Sequence, residues 1–168
     1  MKKYDCLFIG NAIIDVVSNV SFEFLKEQNI DVGSWRPTPV DQISQLQKKM
    51  ENTLIASGGS AANSAVGFSL LGGNSSFIGR VKDDEFGKLY IKDLQSANVD
   101  FVSSSVKSGI ETGRCLVYVT PDAQRSMRTY LGAASNLSPN EINENALEDS
   151  EFVYMEGYLW DEPIAKEA

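Results

Sequence analysis

Short strand-like runs alternate with helix-like segments along most of this 168-residue chain, and the alternation limits the folds that it can adopt. The runs are rich in aliphatic and aromatic residues, as buried strands are; they are YDCLFIG, NTLIAS, SSFIGRV and EFVYMEG. Two of the segments between them, SAANSAVGFSLL and DDEFGKLYIKDLQSA, have the pattern of helices. Strands separated by helices form a parallel sheet that is covered on both faces. The sequence therefore predicts an α/β fold with a mainly parallel sheet.

Further strand-like segments do not fit a plain alternation of strands and helices. They lie around residues 12–20, 33–40 and 112–131, and the last of these contains a turn, PDAQ, with proline at its second position. We interpret them as antiparallel strands of a small β-flap that insertions add to the main sheet. Because neither a linker nor a repeat divides the chain, a single domain over 1–168 is expected.

Charge is unevenly distributed along the chain. The net charge is −8, and residues 141–168 account for all of it with nine acidic residues and one basic residue. A negative net charge argues against binding to the nucleic-acid backbone, so no nucleic-acid partner is expected. We interpret the acidic segment as the solvated faces of helices, with a partner-binding surface as the alternative.

The composition argues against several other classes of protein. No apolar run approaches the ~20 residues of a membrane span, and Asp5 and Asp15 interrupt the first apolar stretch, unlike in a signal peptide. A cytoplasmic protein without membrane contact is therefore expected. The two cysteines, Cys6 and Cys115, are predicted to be buried free thiols. Histidine is absent, which removes the usual general base and most zinc sites, and no metal site is expected.

The stretch SGGSAAN follows a predicted strand and begins a predicted helix. Gly58 and Gly59 allow a ligand to approach the backbone closely, and Asn63 offers an amide that both donates and accepts hydrogen bonds. The helix N-terminus adds free N–H groups. This set suits the hydroxyls of a sugar, and a tight turn without a ligand is the alternative. The motifs of phosphate loops and of dinucleotide-binding turns are absent.

A second polar motif, GNAIID, places Asn11 and Asp15 directly after the first predicted strand. Ligands of open parallel sheets bind beyond the carboxyl ends of the strands. A carboxylate there can accept hydrogen bonds from two vicinal hydroxyls and so hold a ribose; an ordinary loop acid is the alternative. Because both motifs follow strands, they are predicted to converge.

Together, GNAIID, GGSAANSAVGFSLLGGNSSFIGRVKDDEFG and TGRCLVYVTPDAQRSMRTYLGAAS resemble the PfkB family of ribokinase-like carbohydrate and nucleoside kinases, adenosine kinases in particular. The resemblance implies a ribokinase-like three-layer α/β/α domain with a β-sheet lid, and ATP and Mg²⁺ as cofactors. It also implies that Asn11, Asp15, Gly58, Gly59 and Asn63 bind a sugar or ribose.

The resemblance assigns roles to further residues. Arg125 matches a lid-side arginine that approaches the transferred phosphate, although a solvated hairpin arginine is the bland alternative. Glu156 falls where ribokinase-type members carry a sugar-contacting acid and adenosine kinases often have a small residue, so this position leaves nucleoside and sugar substrates open. Gly79, Asp84 and Gly87 are expected to be structural.

The second signature of the family, a glycine-rich DTxGAGD-like segment with the catalytic base and the anion hole, is absent from the sequence. The resemblance therefore implies a truncated N-terminal half, with no catalytic residue of its own and no activity alone. The expected function is phosphorylation of a hydroxyl of an adenosine-like nucleoside, and the lid is a candidate homodimer contact. The alternatives are a kinase of free ribose, fructose or a sugar acid, or a non-catalytic binding module for a sugar or nucleoside.

Overall fold

Two β-sheets and the helices packed against them make up the fold. The computed structural model describes residues 2–168. The strands in this range are β1 (Tyr4–Ile9), β2 (Ile13–Asn19), β3 (Trp35–Pro37), β4 (Leu54–Gly58), β5 (Ser75–Ile78), β6 (Val99–Phe101), β7 (Thr112–Val119), β8 (Arg125–Gly132) and β9 (Ser150–Met155). The α-helices are α1 (Phe22–Glu27), α2 (Val40–Gln47), α3 (Ser60–Leu70), α4 (Glu85–Ser96), α5 (Glu144–Glu148) and α6 (Pro163–Glu167).

The main sheet has four strands, all parallel, in the order β6-β5-β1-β9. In its register, Phe8 of β1 lies between Phe77 of β5 and Tyr154 of β9. The predicted α/β fold with a mainly parallel sheet is thus confirmed.

Hydrophobic clusters cover both faces of the main sheet, because alternate residues of a strand point to opposite sides. On one face the helices α3 and α4 pack against Phe8 and Phe77, and the small residues Ala61 and Ala65 bring α3 close to the strands. The cluster on the opposite face contains Leu7, Ile9, Ile78, Leu137 and Leu159. The fold therefore has three layers.

A second sheet, here called the lid sheet, consists of β3, β8, β7, β2 and β4 in that order. Four of its strands come from the three ranges in which a β-flap is predicted. Its pairing is mixed: β2 is antiparallel to β4 but parallel to β7, and β8 is antiparallel to β7 but parallel to β3. The expectation of a purely antiparallel flap is wrong in this respect, because β2 and β7 come from distant parts of the chain and no short hairpin joins them.

The run NTLIAS belongs to the lid sheet, and not to the main sheet in which the alternation places it. β4 pairs with β2 from Leu54, beside Val17, to Gly58, beside Ile13. It is an edge strand, which agrees with the 67% exposure of Leu54. Because α3 begins two residues after β4 ends, the turn at Gly58 and Gly59 connects the lid sheet directly to the layered domain.

Asp84 ties α4 to the lid sheet. Its Oδ1 caps the helix by accepting from the Gly87 N–H at 2.8 Å, and its carboxylate also accepts from the N–H and the hydroxyl of Thr112 at 2.9 and 2.7 Å. Partial burial would raise the pKa of Asp84, but the hydrogen bonds from Thr112 and Gly87 outweigh it and lower that pKa. The structure therefore gives Asp84 and Gly87 structural contacts.

One acidic segment is divided into two short helical elements. The run SPNEINENAL forms a short 3-10 turn over Pro139–Glu141 and then α5. Ile142 is extended between them, and the Asn143 side chain starts α5 by accepting from the Ala146 N–H at 3.1 Å. Within residues 2–168, no helix combines the length and the apolarity that a membrane crossing requires.

Candidate functional site

A buried carboxylate, that of Glu156, joins the end of β1 to the start of α3. Its Oε1 accepts from the backbone N–H and the Nδ2 of Asn11 at 2.6 and 2.8 Å. Its Oε2 accepts from the Ser60 hydroxyl at 2.5 Å and the Ala61 N–H at 3.0 Å. Glu156 is only 3% exposed, so these four donors replace the water that an ionised carboxylate would otherwise need.

The N-terminus of α3 is therefore occupied by a group of the protein itself. The sequence predicts free N–H groups there, but the Ala61 N–H is bonded to Glu156. The negative charge lies at the positive end of the helix dipole, which is where it is most stable. Asn63, the fourth residue of α3, is exposed to solvent.

The two adjacent glycines bring three segments into close contact. Gly59 has φ +98°, and a Cβ on it would lie 2.2 Å from the carbonyl oxygen of Asn11. A Cβ on Gly58 would lie 2.5 Å from the carboxyl group of Asp15. Any other residue at either position would push the turn away from Asn11 and Asp15. The sequence predicts that a ligand approaches the backbone closely here, and the structure adds a close approach between the protein's own segments.

Asp15 lies in the middle of β2 and is partly buried. None of the residues 2–168 donates a hydrogen bond to its carboxylate, so burial raises the pKa of Asp15 to about 6, and the charge of Arg125 only partly offsets this. A carboxylate that lacks a protein donor retains its capacity to accept hydrogen bonds from a ligand. Asp15 is thus the group in this cluster that is available for binding.

The face of the lid sheet that carries Asp15 also carries residues that the sequence does not single out as a site. Cys115 of β7 lies beside Asp15, and Thr129 of β8 lies beside Cys115 with its hydroxyl 3.1 Å from the thiol. Trp35 donates to the same hydroxyl at 3.1 Å. Burial, together with the charge of Asp15, raises the pKa of Cys115 to about 11 despite the hydrogen bond with Thr129, so the thiol is protonated.

Two side chains of helix α4 form hydrogen bonds with the backbone at the end of β4. Tyr90 is fully buried, and its hydroxyl donates to the Gly58 carbonyl at 3.3 Å. Asp93 accepts from the Ser57 N–H at 2.7 Å. These two contacts hold the backbone of the strand that leads into the glycine turn, and no sequence motif signals them.

The predicted site residues fall into two groups in space. Asn11 contacts both Gly59 and Glu156. Gly58 links this group to Asp15. The other two, Asn63 and Arg125, are exposed. Arg125 is nevertheless close enough to lower the pKa of Asp15 and lies on the same face of the lid sheet, beside Val119. Among residues 2–168, no group of three or more Cys, Asp or Glu side chains is placed to hold a metal ion.

Two solved structures share the fold of this chain closely. The crystal structure of adenosine kinase from Sinorhizobium meliloti matches 98% of this chain with a TM-score of 0.90 and 39% identity. A probable sugar kinase from Rhizobium etli CFN 42 matches 100% of the chain with a TM-score of 0.90 and 37% identity. The chain therefore has the α/β fold of these two kinases over the part that it matches.

Sequence comparison identifies the family. The model of the pfkB family of carbohydrate kinases matches residues 5–168, and the chain belongs to this family. A curated relative, the 5-dehydro-2-deoxygluconokinase of Bacillus velezensis, is 25% identical over 89% of this chain. The chain spans about half the length of these proteins: 50% of the adenosine kinase, 51% of the probable sugar kinase and 47% of the gluconokinase.

Replacing Gly59 by alanine is expected to lower the free energy of unfolding by more than about 2 kcal/mol, because φ is positive and the added methyl group meets the Asn11 carbonyl. Gly67→Ala, inside the helix α3 that follows Gly59, is the matched control, since nothing lies within 4 Å of its added Cβ. It is expected to stabilise the protein by about 0.5–1 kcal/mol. Urea unfolding of both variants measures the difference, and equal stabilities would contradict the tight turn.

Removing the charge of Asp15 is expected to stabilise the protein at neutral pH. Because its pKa rises from 3.8 to about 6 on folding, the folded state holds the proton more tightly, and stability that is present below pH 4 is lost as the pH rises through 6. Asp15→Asn should therefore exceed the wild type by on the order of 2 kcal/mol at pH 7 and match it near pH 4. Urea unfolding as a function of pH is the measurement.

The control for this experiment is Asp122→Asn in the β7–β8 turn. A hydrogen bond from Thr120 lowers the pKa of Asp122, so its contribution to stability is present at neutral pH and lost as the pH falls. Asp122→Asn should therefore not stabilise the protein at pH 7. If the wild type is as stable as Asp15→Asn at pH 7, the carboxylate of Asp15 is solvated in the folded state.

Proposed function

We propose that this chain supplies the acceptor-binding half of a kinase that transfers the γ-phosphate of ATP to a hydroxyl of a ribose-containing nucleoside such as adenosine. The observation that carries the proposal is the carboxylate of Asp15, which is partly buried and has no donor among residues 2–168. It lies on the lid sheet above a turn that glycines keep free of side chains.

Two vicinal hydroxyls of a ribose fit such a carboxylate, because each can donate one hydrogen bond to it. Charge-assisted hydrogen bonds of this kind contribute roughly 1.5–3 kcal/mol each. Partial burial strengthens them and excludes competing water. The bound hydroxyls would also favour the ionised form of Asp15, which the free protein disfavours.

The residues around Asp15 take supporting roles in the proposal. Gly58 and Gly59 form the floor on which the sugar lies, and the exposed amide of Asn63 is available for a further hydroxyl. Asn11 binds through its backbone carbonyl or its remaining amide hydrogen, since one donor of Nδ2 is bonded to Glu156. Arg125 provides a cation on the same face of the lid sheet, where it can stabilise charge that develops on the transferred phosphate.

Phosphoryl transfer itself requires groups beyond this set. When bound, ATP supplies the γ-phosphate and Mg²⁺ neutralises the charge of the phosphate oxygens. Residues 2–168 contain no cluster suited to the metal, so no step of the proposal passes through a metal ion held by this chain. We expect no turnover of ATP by the 168-residue chain alone. A homodimer through the lid stays a prediction.

Glu156 favours a nucleoside over a free sugar as the acceptor. If it contacted the sugar, as in ribokinase-type members of the family, at least one oxygen would have to be available. Here both oxygens are fully occupied by Asn11, Ser60 and Ala61 in a buried position. The second candidate is a free-sugar kinase, and the match to 5-dehydro-2-deoxygluconokinase favours it.

A joined kinase tests the function directly. This chain is fused at Ala168 to the C-terminal half of the S. meliloti adenosine kinase, and phosphate transfer from ATP is measured with adenosine, inosine, ribose, fructose and 5-dehydro-2-deoxygluconate. A second fusion, to the C-terminal half of the R. etli probable sugar kinase, controls for specificity contributed by the added half. Preference for a nucleoside in both fusions supports the proposal. Preference for a sugar in both supports the second candidate, and binding without transfer in both supports a non-catalytic module.

In the joined kinase, Asp15→Ala is expected to lower kcat/KM by a factor of about 10² to 10³, which is the loss of two charge-assisted hydrogen bonds. Asp15→Asn should do less harm, because it keeps one acceptor oxygen. A melting curve of each variant shows whether it still folds. A folded Asp15→Ala variant with nearly normal kcat/KM would mean that another group holds the acceptor.

Replacing Glu156 by alanine distinguishes a positioning role from a direct sugar contact. Removal of the carboxylate leaves four buried donors unsatisfied, so the free energy of unfolding of this chain should fall by more than about 3 kcal/mol. Glu156→Gln should fall in between, because its amide nitrogen cannot accept. Glu151→Ala, at an exposed acid of β9, is the control and should change stability by less than about 0.5 kcal/mol. A Glu156→Ala variant as stable as the wild type would contradict the positioning role and would favour a direct contact between Glu156 and the sugar.

A further inference from the structure

Two arginines lie side by side at the edge of the lid sheet. Arg36 of β3 is the register partner of Arg128 of β8, so the two side chains leave the same face of the sheet from adjacent strands. β3 is the edge strand on this side. Like charges at neighbouring positions of adjacent strands destabilise a sheet unless another group neutralises them. We call Arg36 and Arg128 the arginine pair.

The arginine pair is on the opposite face of the lid sheet from the candidate site. Successive residues of a strand point to opposite faces, and Thr129, which follows Arg128, is on the face that carries Asp15. Arg128 shares its own face with Tyr118 of β7, which is fully buried. A ligand of the arginine pair would therefore be separate from the acceptor that Asp15 is proposed to bind.

Arg128 is buried without an acidic partner. It is only 4% exposed, and no ion pair within residues 2–168 includes it or Arg36. Arginines are rarely buried this fully unless an anion is paired with them. Burial lowers the pKa of Arg128, and the charge of Arg36 lowers it further. Asp31 is close enough to offset this shift in part, but it forms no ion pair with Arg128.

One edge of the Arg128 guanidinium group is free. Its Nη1 donates to the carbonyl of Met127 at 2.8 Å and to the Ser34 hydroxyl at 3.1 Å, and these two bonds fix the orientation of the group. Nε and Nη2 form the edge that can bind an oxyanion through two parallel hydrogen bonds, and neither has an acceptor within residues 2–168. Because these nitrogens are not among the enclosed polar atoms that lack a partner, the free edge reaches the protein surface.

A second polar group near Arg128 also lacks a partner. The hydroxyl of Tyr118 is buried, and it makes no hydrogen bond within residues 2–168. Burial raises the pKa of Tyr118 to about 12, and the nearby charge of Arg128 only partly offsets this. Buried hydroxyls normally have a hydrogen-bond partner. Arg128 and Tyr118 thus both lack an oxygen acceptor at the same end of the lid sheet.

We propose that the arginine pair binds a phosphate group, either as inorganic phosphate or as part of a phosphorylated small molecule. The free edge of Arg128 holds two of the phosphate oxygens, and the exposed Arg36 contacts the anion from the edge strand. A phosphate suits the pair better than a carboxylate, because its charge of about −2 neutralises both guanidinium groups. The site does not depend on which acceptor the kinase phosphorylates.

Calorimetric titration of this chain at constant ionic strength tests the site, with inorganic phosphate and glycerol 3-phosphate as the probes. We expect saturable binding of at least one of them. Tighter binding of glycerol 3-phosphate would identify an organic phosphate as the ligand, and tighter binding of inorganic phosphate would identify the free ion. Arg36→Met and Arg128→Met should each weaken the binding by about tenfold or more. The matched control is Lys48→Met, at an exposed lysine that ends α2, and it should leave the affinity unchanged.

Thermal unfolding separates a binding role from a structural one. Arg128→Met replaces a buried and unpaired charge with an apolar side chain, so its melting temperature in phosphate-free buffer should equal or exceed that of the wild type. Phosphate should raise the melting temperature of the wild type and of Lys48→Met, but much less that of either arginine variant. Because Arg36 is exposed, Arg36→Met remains decisive even if Arg128→Met fails to fold.

Three outcomes would overturn the proposal. The first is that neither phosphate compound binds. The second is that Arg36→Met binds phosphate as tightly as the wild type does, or loses no more affinity than Lys48→Met, which would leave only a general effect of charge. The third is that Arg125→Met abolishes the binding while Arg36→Met and Arg128→Met retain it, which would place the anion on the Asp15 face of the lid sheet.

Discussion

The hydrogen bonds of the Glu156 carboxylate hold the candidate site together. They join the end of β9, the end of β1 and the start of α3, three segments that are distant in the sequence. Because Asn11 is fixed in this way, Gly59 can pass within contact distance of its carbonyl, and β4 can lead into α3 without a longer loop. The position of the lid sheet relative to the layered domain follows from that turn. A buried ion without four donors would destabilise the fold rather than organise it.

Asp15 presents the opposite case, a partly buried carboxylate that the protein leaves without a donor. Such a group costs stability, and the cost is offset elsewhere by the apolar clusters of α3, α4 and the main sheet. The contrast between the two carboxylates separates their roles. Glu156 accepts four hydrogen bonds from the protein, whereas the carboxylate of Asp15 remains able to accept hydrogen bonds from another molecule. The family to which the chain belongs is one of carbohydrate kinases, and hydroxyl groups are what such a molecule would present.

Local patterns predicted much of the fold and part of the site. The alternation of strands and helices predicted the parallel sheet, and the motifs around Asn11 and Gly59 were expected to converge at the strand ends, as they do. The membership of β4 in the lid sheet could not be predicted, because a short apolar run fits either sheet and only its pairing with β2 decides. For the same reason the sequence did not indicate that Cys115 and Thr129 lie beside Asp15. The role of Glu156 depends on donors far along the chain, which no local pattern reports.

The separation between Glu156 and its partners has a consequence for the order in which the site is made. The hydrogen bonds to Asn11 span 145 residues, and those to Ser60 and Ala61 span 96 and 95. During synthesis from the N-terminus, both motifs leave the ribosome long before β9 does, and their donors are satisfied by water until then. Contacts of such long range form slowly. The turn at Gly58 and Gly59 is therefore among the last parts of this chain to reach its native geometry, because its contacts are complete only once β9 has joined the sheet.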